Sequence, residues 1–310
     1  MKRMNLMIML AVCAVALSAC ATTHEQESIV TTVSTHEWAA SDTSIHNSRT
    51  APLTNIETRA ALANESLVFH HCSIDDITLI EIYGNDSKMA PIMFFLHEHE
   101  GQKEQFLDEA ISYAQSGFFC VLMDLYGYGE RTSSEPVESI QAAVMCTSDI
   151  DLVLEYYRLS PFADSDRFVL YGQSMGGSAV WHYAAYGKKQ PQAIVVCSAA
   201  ADFTQIEDMG AVLDGKGQPP TWSDQQYSEY CNAHNPVASL EKIATVPMLV
   251  YQGMMDSTIP PSVTQSFEKQ VAAFNSDQST FIYDPNGGHN ATIAFLNRIM
   301  PFLRQQVRIS

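Results

Sequence analysis

The sequence predicts an α/β protein: a doubly wound, mostly parallel eight-stranded sheet with helices on both faces. Three observations point there. From Leu67 onward, short apolar runs bounded by turn residues alternate with segments whose apolar residues recur at helical spacing. Several runs are continuously hydrophobic, as strands buried on both faces must be. One run leads straight into a glycine-fenced serine, "VLYGQSMGGS" (169–178), followed by a helix-forming stretch. The alternation continues to the C-terminus without a break, which argues one domain over 66–310 and not two.

Leu67–His70 and Ile77–Tyr83 read as an opening strand pair. Pro91–His97 is a wholly apolar strand up to its last residue. Phe106, Leu107, Ala110, Ile111 and Ala114 then recur at helical spacing until Gly117 stops them. Phe118–Asp124 is the next buried strand, and a helix covers roughly Pro136 to Tyr157. Arg167–Tyr171 is the strand before the serine; Ser178–Ala185 behind it has helix-forming character and stops at Gly187 and Pro191. Three more strands follow at Ala193–Cys197, Pro247–Tyr251 and Thr280–Tyr283. The last helix carries Ile293, Phe295, Leu296, Ile299 and Leu303, with a kink expected at Pro301.

Residues 1–65 do not share this grammar. Lys2 and Arg3 precede an apolar run, Leu6 to Leu17, of signal-peptide length and too short to span a bilayer. The run ends in Leu17-Ser18-Ala19-Cys20, which resembles a bacterial lipoprotein signal. That resemblance implies removal of residues 1–19, lipidation of the Cys20 thiol, and an exported protein held on a membrane at its periplasmic or cell-surface face. The small residues Ala19-Cys20-Ala21 also fit ordinary secretory cleavage, which would leave a secreted or periplasmic protein. Residues 20–65, rich in Thr, Ser, Ala, Asn and Glu, read as a flexible tether ending in a short helix near Thr54–Ala63.

The acidic balance narrows the partners. With 35 acidic against 17 basic residues the net charge is −18, and no basic stripe is present, so nucleic acid is not an expected partner. Without residues 1–19, which hold Lys2 and Arg3 and no acid, the balance is 15 against 35, or −20. Besides Cys20 the chain keeps Cys72, Cys120, Cys146, Cys197 and Cys231. No spacing among them suggests a framework, so one structural disulfide at most is expected; Cys120 and Cys197 lie in apolar runs as small core residues.

The chemistry centres on Ser174. A serine at a sharp strand-to-helix turn needs small neighbours, and Gly172 and Gly176 supply them in the G-x-S-x-G pattern of a nucleophile elbow. A hydroxyl is a poor nucleophile unless a base takes its proton and a carboxylate orients that base. Both candidates lie downstream: Asp256 just after the strand ending at Gly253, and His289 in "YDPNGGHNA" just after the last strand. Ser174, Asp256 and His289 thus each follow the C-terminal end of a strand, the edge at which open parallel sheets bind ligands. One oxyanion donor is expected in the backbone N–H of Met175, first residue of the helix behind the serine.

In this order the three residues resemble the catalytic set of the α/β-hydrolase superfamily, over about Leu67 to Val307. Within that span "FLHEHEGQKEQFLDEAISYAQSGFFCVLMDLYGYGER" resembles dienelactone-hydrolase-like proteins and related bacterial serine esterases. The resemblance implies a second oxyanion donor in the backbone N–H of His99 and a role for Glu98 in tuning the nucleophile, beside the alternative that Glu98 is a plain loop carboxylate. Dienelactone hydrolases proper use a cysteine nucleophile; Ser174 at that position favours a general serine esterase. "HEHE" (97–100) lacks the H-E-x-x-H spacing of a helical metal site, so no metal is expected, and His70-His71 reads as a solvated strand end. Between Cys197 and Val246, Asp202, Phe203, Trp222, Tyr227 and Tyr230 either wall a substrate pocket or belong to peripheral helices. The expected function is cofactor-free cleavage of a small ester or related acyl compound. A prolyl-oligopeptidase-like serine peptidase and a non-catalytic surface lipoprotein are the alternatives.

Overall fold

The computed structural model describes residues 48–85, 88–134, 137–207, 222–274 and 277–309. Cys20 and the signal assigned to residues 1–19 lie outside these described residues. In chain order the elements are β1 (Ser48–Ala51), α1 (Asn55–Ala63), β2 (Leu67–Ile74), β3 (Ile77–Gly84), β4 (Ala90–Leu96), α2 (Leu107–Gln115), β5 (Phe119–Met123), α3 (Ser139–Tyr157), β6 (Ala163–Gln173), α4 (Met175–Tyr186) and β7 (Ala193–Cys197). There follow α5 (Thr204–Glu207), α6 (Asp224–Ala233), α7 (Leu240–Ile243), β8 (Met248–Gly253), α8 (Pro261–Ala272), β9 (Ser279–Asp284) and α9 (Ile293–Gln306), the last with Pro301 inside it.

The strands form one sheet in the order β1-β2-β3-β5-β4-β6-β7-β8-β9. β1, β2, β3 and β5 pair antiparallel; from β5 through β9 every pairing is parallel. The eight strands read from the sequence are β2 to β9, and their apolar runs explain them: all seven residues of β4 and all six of β8 are buried. The ninth, β1, is the difference. Its four residues are exposed, so no hydrophobic pattern announces it; backbone pairing with the edge of β2 recruits it from the stretch read as tether. α1 follows, and its start is set by a capping box in which Thr54 and Glu57 each bond the other's backbone N–H.

One core lies between the sheet and α3, α4 and α8, with Trp181, Tyr157 and Phe168 at its centre. The other lies under α2 and α9, around Phe95, Tyr171, Phe295 and Ile299. All five described cysteines are free thiols and buried. Among the described residues no helix is long and apolar enough to cross a membrane.

The strand order reverses at β4. From β4 the chain steps to β5 on one side and then to β6 on the other, which opens a crevice at the C-terminal ends of β4 and β6. Polar side chains lock the loops there. Lys103, 1% exposed, puts its Nζ 3.0 Å from Asp124 Oδ2 while its own N–H donates to Asp124 Oδ1 at 2.8 Å. Thr78 Oγ1 (2.8 Å) and the Glu130 N–H (3.1 Å) complete the carboxylate's partners. Gly129 at φ 58° lets the chain close over it, since a Cβ there would overlap the Asp124 carboxylate.

His70 and His71 correct the sequence reading: they are buried, not solvated. β2 is flanked by strands on both sides and carboxylates meet both rings. His70 Nδ1 lies 3.2 Å from Glu81 Oε2; His71 lies 3.2 Å from Glu57 and 2.8 Å from Glu130. The Glu57 hydrogen bond raises the His71 pKa.

The Lys103–Asp124 pair yields a test. Burial pushes the Asp124 carboxyl up, but Lys103, the two backbone N–H groups and Thr78 outweigh it and hold it below its ordinary value. A group so depressed stabilises the fold above its unfolded pKa, about 3.9, and loses that contribution as pH falls through the folded value. Lys103→Met should therefore cost about 3–5 kcal/mol at pH 7, by leaving a buried carboxylate unpaired. In urea unfolding the gap to wild type should narrow as pH falls toward 4, where the variant's Asp124 can take a proton. A gap independent of pH would contradict this account.

Candidate active site

β6 ends at Gln173 and α4 begins at Met175, leaving Ser174 alone between them at φ 52°, ψ −118°. A non-glycine residue in this left-handed region carries strain of roughly 1–3 kcal/mol, which persists only where the surroundings enforce it. Two features enforce it. The Ser174 N–H donates to Cys197 O at the end of β7, at 2.9 Å. Gly172 and Gly176 remove the atoms that would collide: a Cβ on Gly172 would overlap the Gly176 carbonyl, and one on Gly176 would overlap the carbonyls of Leu96 and His97. The fence of glycines thus lets the start of α4 press against the end of β4. Ser174 is half-buried, and its hydroxyl has no hydrogen-bond partner among the described residues.

Asp256 follows β8 and is buried. Its Oδ1 accepts the N–H groups of Thr258 (2.8 Å) and Ile259 (2.9 Å); its Oδ2 accepts His289 Nδ1 (2.9 Å) and Gln252 Nε2 (3.3 Å). Burial raises its pKa, but the His289 hydrogen bond and the two backbone donors outweigh burial, so the carboxyl sits below its ordinary value and is ionised at neutral pH. Gln252 is itself fixed by Thr264, whose hydroxyl donates to Oε1 at 2.7 Å.

The meeting of Asp256 and His289 is built by backbone. The Met254 N–H donates to Asp284 O (2.8 Å) and the Met255 N–H to Gly287 O (2.9 Å), lacing the loop after β8 to the loop after β9. Gly253 permits this approach, since a Cβ there would overlap the Gly287 and Gly288 carbonyls. With Nδ1 donating to Asp256, a neutral His289 ring presents Nε2 as its proton acceptor. The structure joins Asp256 to His289 and does not hydrogen-bond His289 to Ser174, a link that unliganded sites often complete only with substrate in place.

The loop after β4 holds the remaining predicted residues. His97 is buried, with Nδ1 2.7 Å from Glu98 O and Nε2 accepting the Leu125 N–H at 3.0 Å. Burial lowers its pKa, so it is a neutral staple between the β4 and β5 ends. His99 is exposed; its ring Nδ1 lies 3.0 Å from Tyr128 Oη and 2.8 Å from Ser139 Oγ. The backbone N–H groups of His99 and Met175 have no acceptor among the described residues, and the Gly176 contact places their two segments side by side. Glu98 accepts Gln173 Nε2 at 2.9 Å and makes no hydrogen bond to Ser174. No group of three or more His, Cys, Asp or Glu among the described residues is arranged to hold a metal ion.

In the longer connection after β7, Phe203 and Cys231 are buried with Ile140, Ala200, Ile259 and Val263, and Trp222, Tyr227 and Tyr230 pack on them. Asp202 takes the Thr204 N–H (3.1 Å) and Asn235 Nδ2 (2.8 Å), a structural cap. Sequence reasoning missed Gln252, Gln173 and Asn290, which touch the predicted residues or their neighbours. Their one signal was adjacency to the end of a strand or to His289.

The order of the strands and the helices on both faces match the α/β-hydrolase fold. The sequence profile of the prolyl oligopeptidase family matches residues 105–309, and the chain belongs to that family. It is similar to the Bacillus subtilis (strain 168) protein YitV, whose name proposes an esterase: 24% identical over 222 residues, 66% of this chain and 85% of that one. The acetyl xylan esterase from Paenibacillus sp. R4 superposes with a TM-score of 0.64 at 12% identity, over 87% of this chain and 91% of that one. The acylaminoacyl peptidase of Pyrococcus horikoshii gives a TM-score of 0.60 at 15% identity, over 84% of this chain and 45% of that one. Such membership is consistent with a hydrolytic enzyme.

The elbow geometry predicts an unusual sensitivity. Gly176→Ala, harmless in most helices, should lower stability by about 1–3 kcal/mol or more, because the new methyl meets backbone that cannot move without parting α4 from β4. Urea unfolding of the variant measures this; wild-type stability would show that the contact is not tight.

Proposed function

We propose that this protein is a serine hydrolase that cleaves a carboxylic ester or related acyl bond. The observation that carries the reading is the 2.9 Å hydrogen bond from His289 Nδ1 to a buried, ionised Asp256, on the same sheet edge as the strained Ser174 turn. Ser174 Oγ attacks the acyl carbon as His289 Nε2 takes its proton. Asp256 holds the imidazole in the required tautomer and stabilises the imidazolium. The charge on the former carbonyl oxygen is met by the N–H groups of Met175 and His99. Collapse expels the alcohol, protonated by His289; water, deprotonated by His289, then releases the acid and restores Ser174. These steps need no cofactor.

Family membership favours a second reading, a prolyl-oligopeptidase-like serine peptidase, since a Ser-His-Asp set serves amide cleavage as well. Amides demand protonation of a poorer leaving group, so a panel of p-nitrophenyl esters and peptide p-nitroanilides separates the two by kcat/KM. We also propose export and anchoring through lipidated Cys20, supported by Leu17-Ser18-Ala19-Cys20; incorporation of labelled fatty acid that Cys20→Ser abolishes would bear this out, and its absence in wild type would refute it.

Ser174→Ala should fold normally and lower kcat on p-nitrophenyl acetate by roughly 10⁴–10⁶. Asp256→Asn should leave KM near wild type and lower kcat by about 10⁴, because the amide favours the wrong tautomer. A Ser174→Ala protein with more than a tenth of wild-type kcat would overturn the assignment.

A further inference from the structure

Gln173 precedes Ser174 and Asn290 follows His289, and the two are hydrogen-bonded across the sheet edge. Gln173 Nε2 donates to Asn290 Oδ1 at 2.8 Å and to Glu98 Oε2 at 2.9 Å. A primary amide has two N–H bonds, and both are used. The amide orientation is dictated chemically: a carboxylate accepts only, so the nitrogen must face Glu98, and its second hydrogen then falls to Asn290. Gln173 is 6% exposed, while Asn290 lies at the surface.

We propose that Gln173 is a positioning residue that holds the His289 loop and the loop after β4 in register with the nucleophile. This inference rests on the triad reading above. One side chain ties three segments together: the end of β6 that carries Ser174, the loop that carries the base, and the loop that carries the oxyanion donor. Packing reaches this loop at Ala291, which sits against the core under α2 and α9, whereas Asn290 is exposed. A cavity of about 220 Å³ lies at the junction, lined by Gln173, Asn290, Glu98, Glu109, Gln105 and Leu296 among others. With open space on that side, the hydrogen bonds must fix Asn290, and through the peptide bond His289. Glutamate at 173 would set a second carboxylate against Glu98, so an uncharged double donor is what the place requires.

The loop after β9 is otherwise held at Gly287, whose carbonyl accepts the Met255 N–H (2.9 Å), and at its two ends, where Asp284 accepts the Asn286 N–H (3.0 Å) and Thr292 Oγ1 (3.1 Å). His289 lies between, held by Asp256 on one side. Losing the Gln173 link should therefore shift the ring's mean position rather than unfold the loop. A displacement of about 1 Å at a reacting group can cost 10²-fold in rate.

The experiment uses the whole protein with Gln173→Met, which keeps shape and loses both donors, Asn290→Ala, and the double variant. Active sites are counted with a fluorophosphonate, so rates refer to folded, reactive protein. Each single variant should lower kcat on p-nitrophenyl acetate by about 10- to 100-fold with KM within about threefold, and the double variant should be no worse than the poorer single, as one shared interaction requires. Hydrogen–deuterium exchange of the segment 285–292 should rise in all three, with the core strands unchanged. Wild-type kcat in either single variant, multiplicative losses in the double, or unchanged exchange would overturn the proposal. If wild type itself fails to react with the fluorophosphonate, the hydrolase reading fails, and exchange at 285–292 still decides whether Gln173 holds that loop.

Discussion

Everything at the site hangs on the turn at Ser174. The chain passes from β6 to α4 through a single residue at φ 52°, a left-handed conformation that starts the helix directly after the strand. That turn exists because Gly172 and Gly176 let backbone touch backbone. The same contact brings the Met175 N–H beside the loop after β4. A strained serine, a helix N-terminus and the neighbouring loop after β4 are therefore brought together by one close approach.

Around that turn the polar groups are placed by hydrogen bonds that the fold leaves them no choice but to make. His97 and Lys103 fix the two ends of the loop that carries Glu98 and His99, the first through the Leu125 N–H and the second through Asp124. Asp256 has four donors and is fully committed before any substrate arrives. Such preorganisation is what electrostatic catalysis needs, since groups that are already aimed need not reorganise when charge develops. The structural cost is a set of buried charges, each of which must stay paired.

Much of this was legible in the sequence, for a physical reason. Buried parallel strands must be continuously apolar, so β4, β5, β7 and β8 stand out. An elbow needs glycine at fixed offsets, so Ser174 does too. Asp256 and His289 stand out because each follows the end of a strand, and the fold brings them within hydrogen-bond distance. What stayed hidden depends on partners distant in sequence. β1 has no residue buried in the core and joins the sheet through backbone pairing with β2. His70 and His71 look solvated until Glu57, Glu81 and Glu130 are brought to them. Gln173 is an unremarkable glutamine until the fold sets Asn290, 117 positions away, against its amide.

The central claim is that Ser174 is a nucleophile activated by His289, and one covalent measurement tests it most directly. The purified protein is treated with a fluorophosphonate, digested, and the modified peptide sequenced by mass spectrometry. The account predicts one adduct per chain, on Ser174, with labelling slowed by orders of magnitude in His289→Ala. An unlabelled Ser174 in folded protein, or labelling that does not depend on His289, would contradict it.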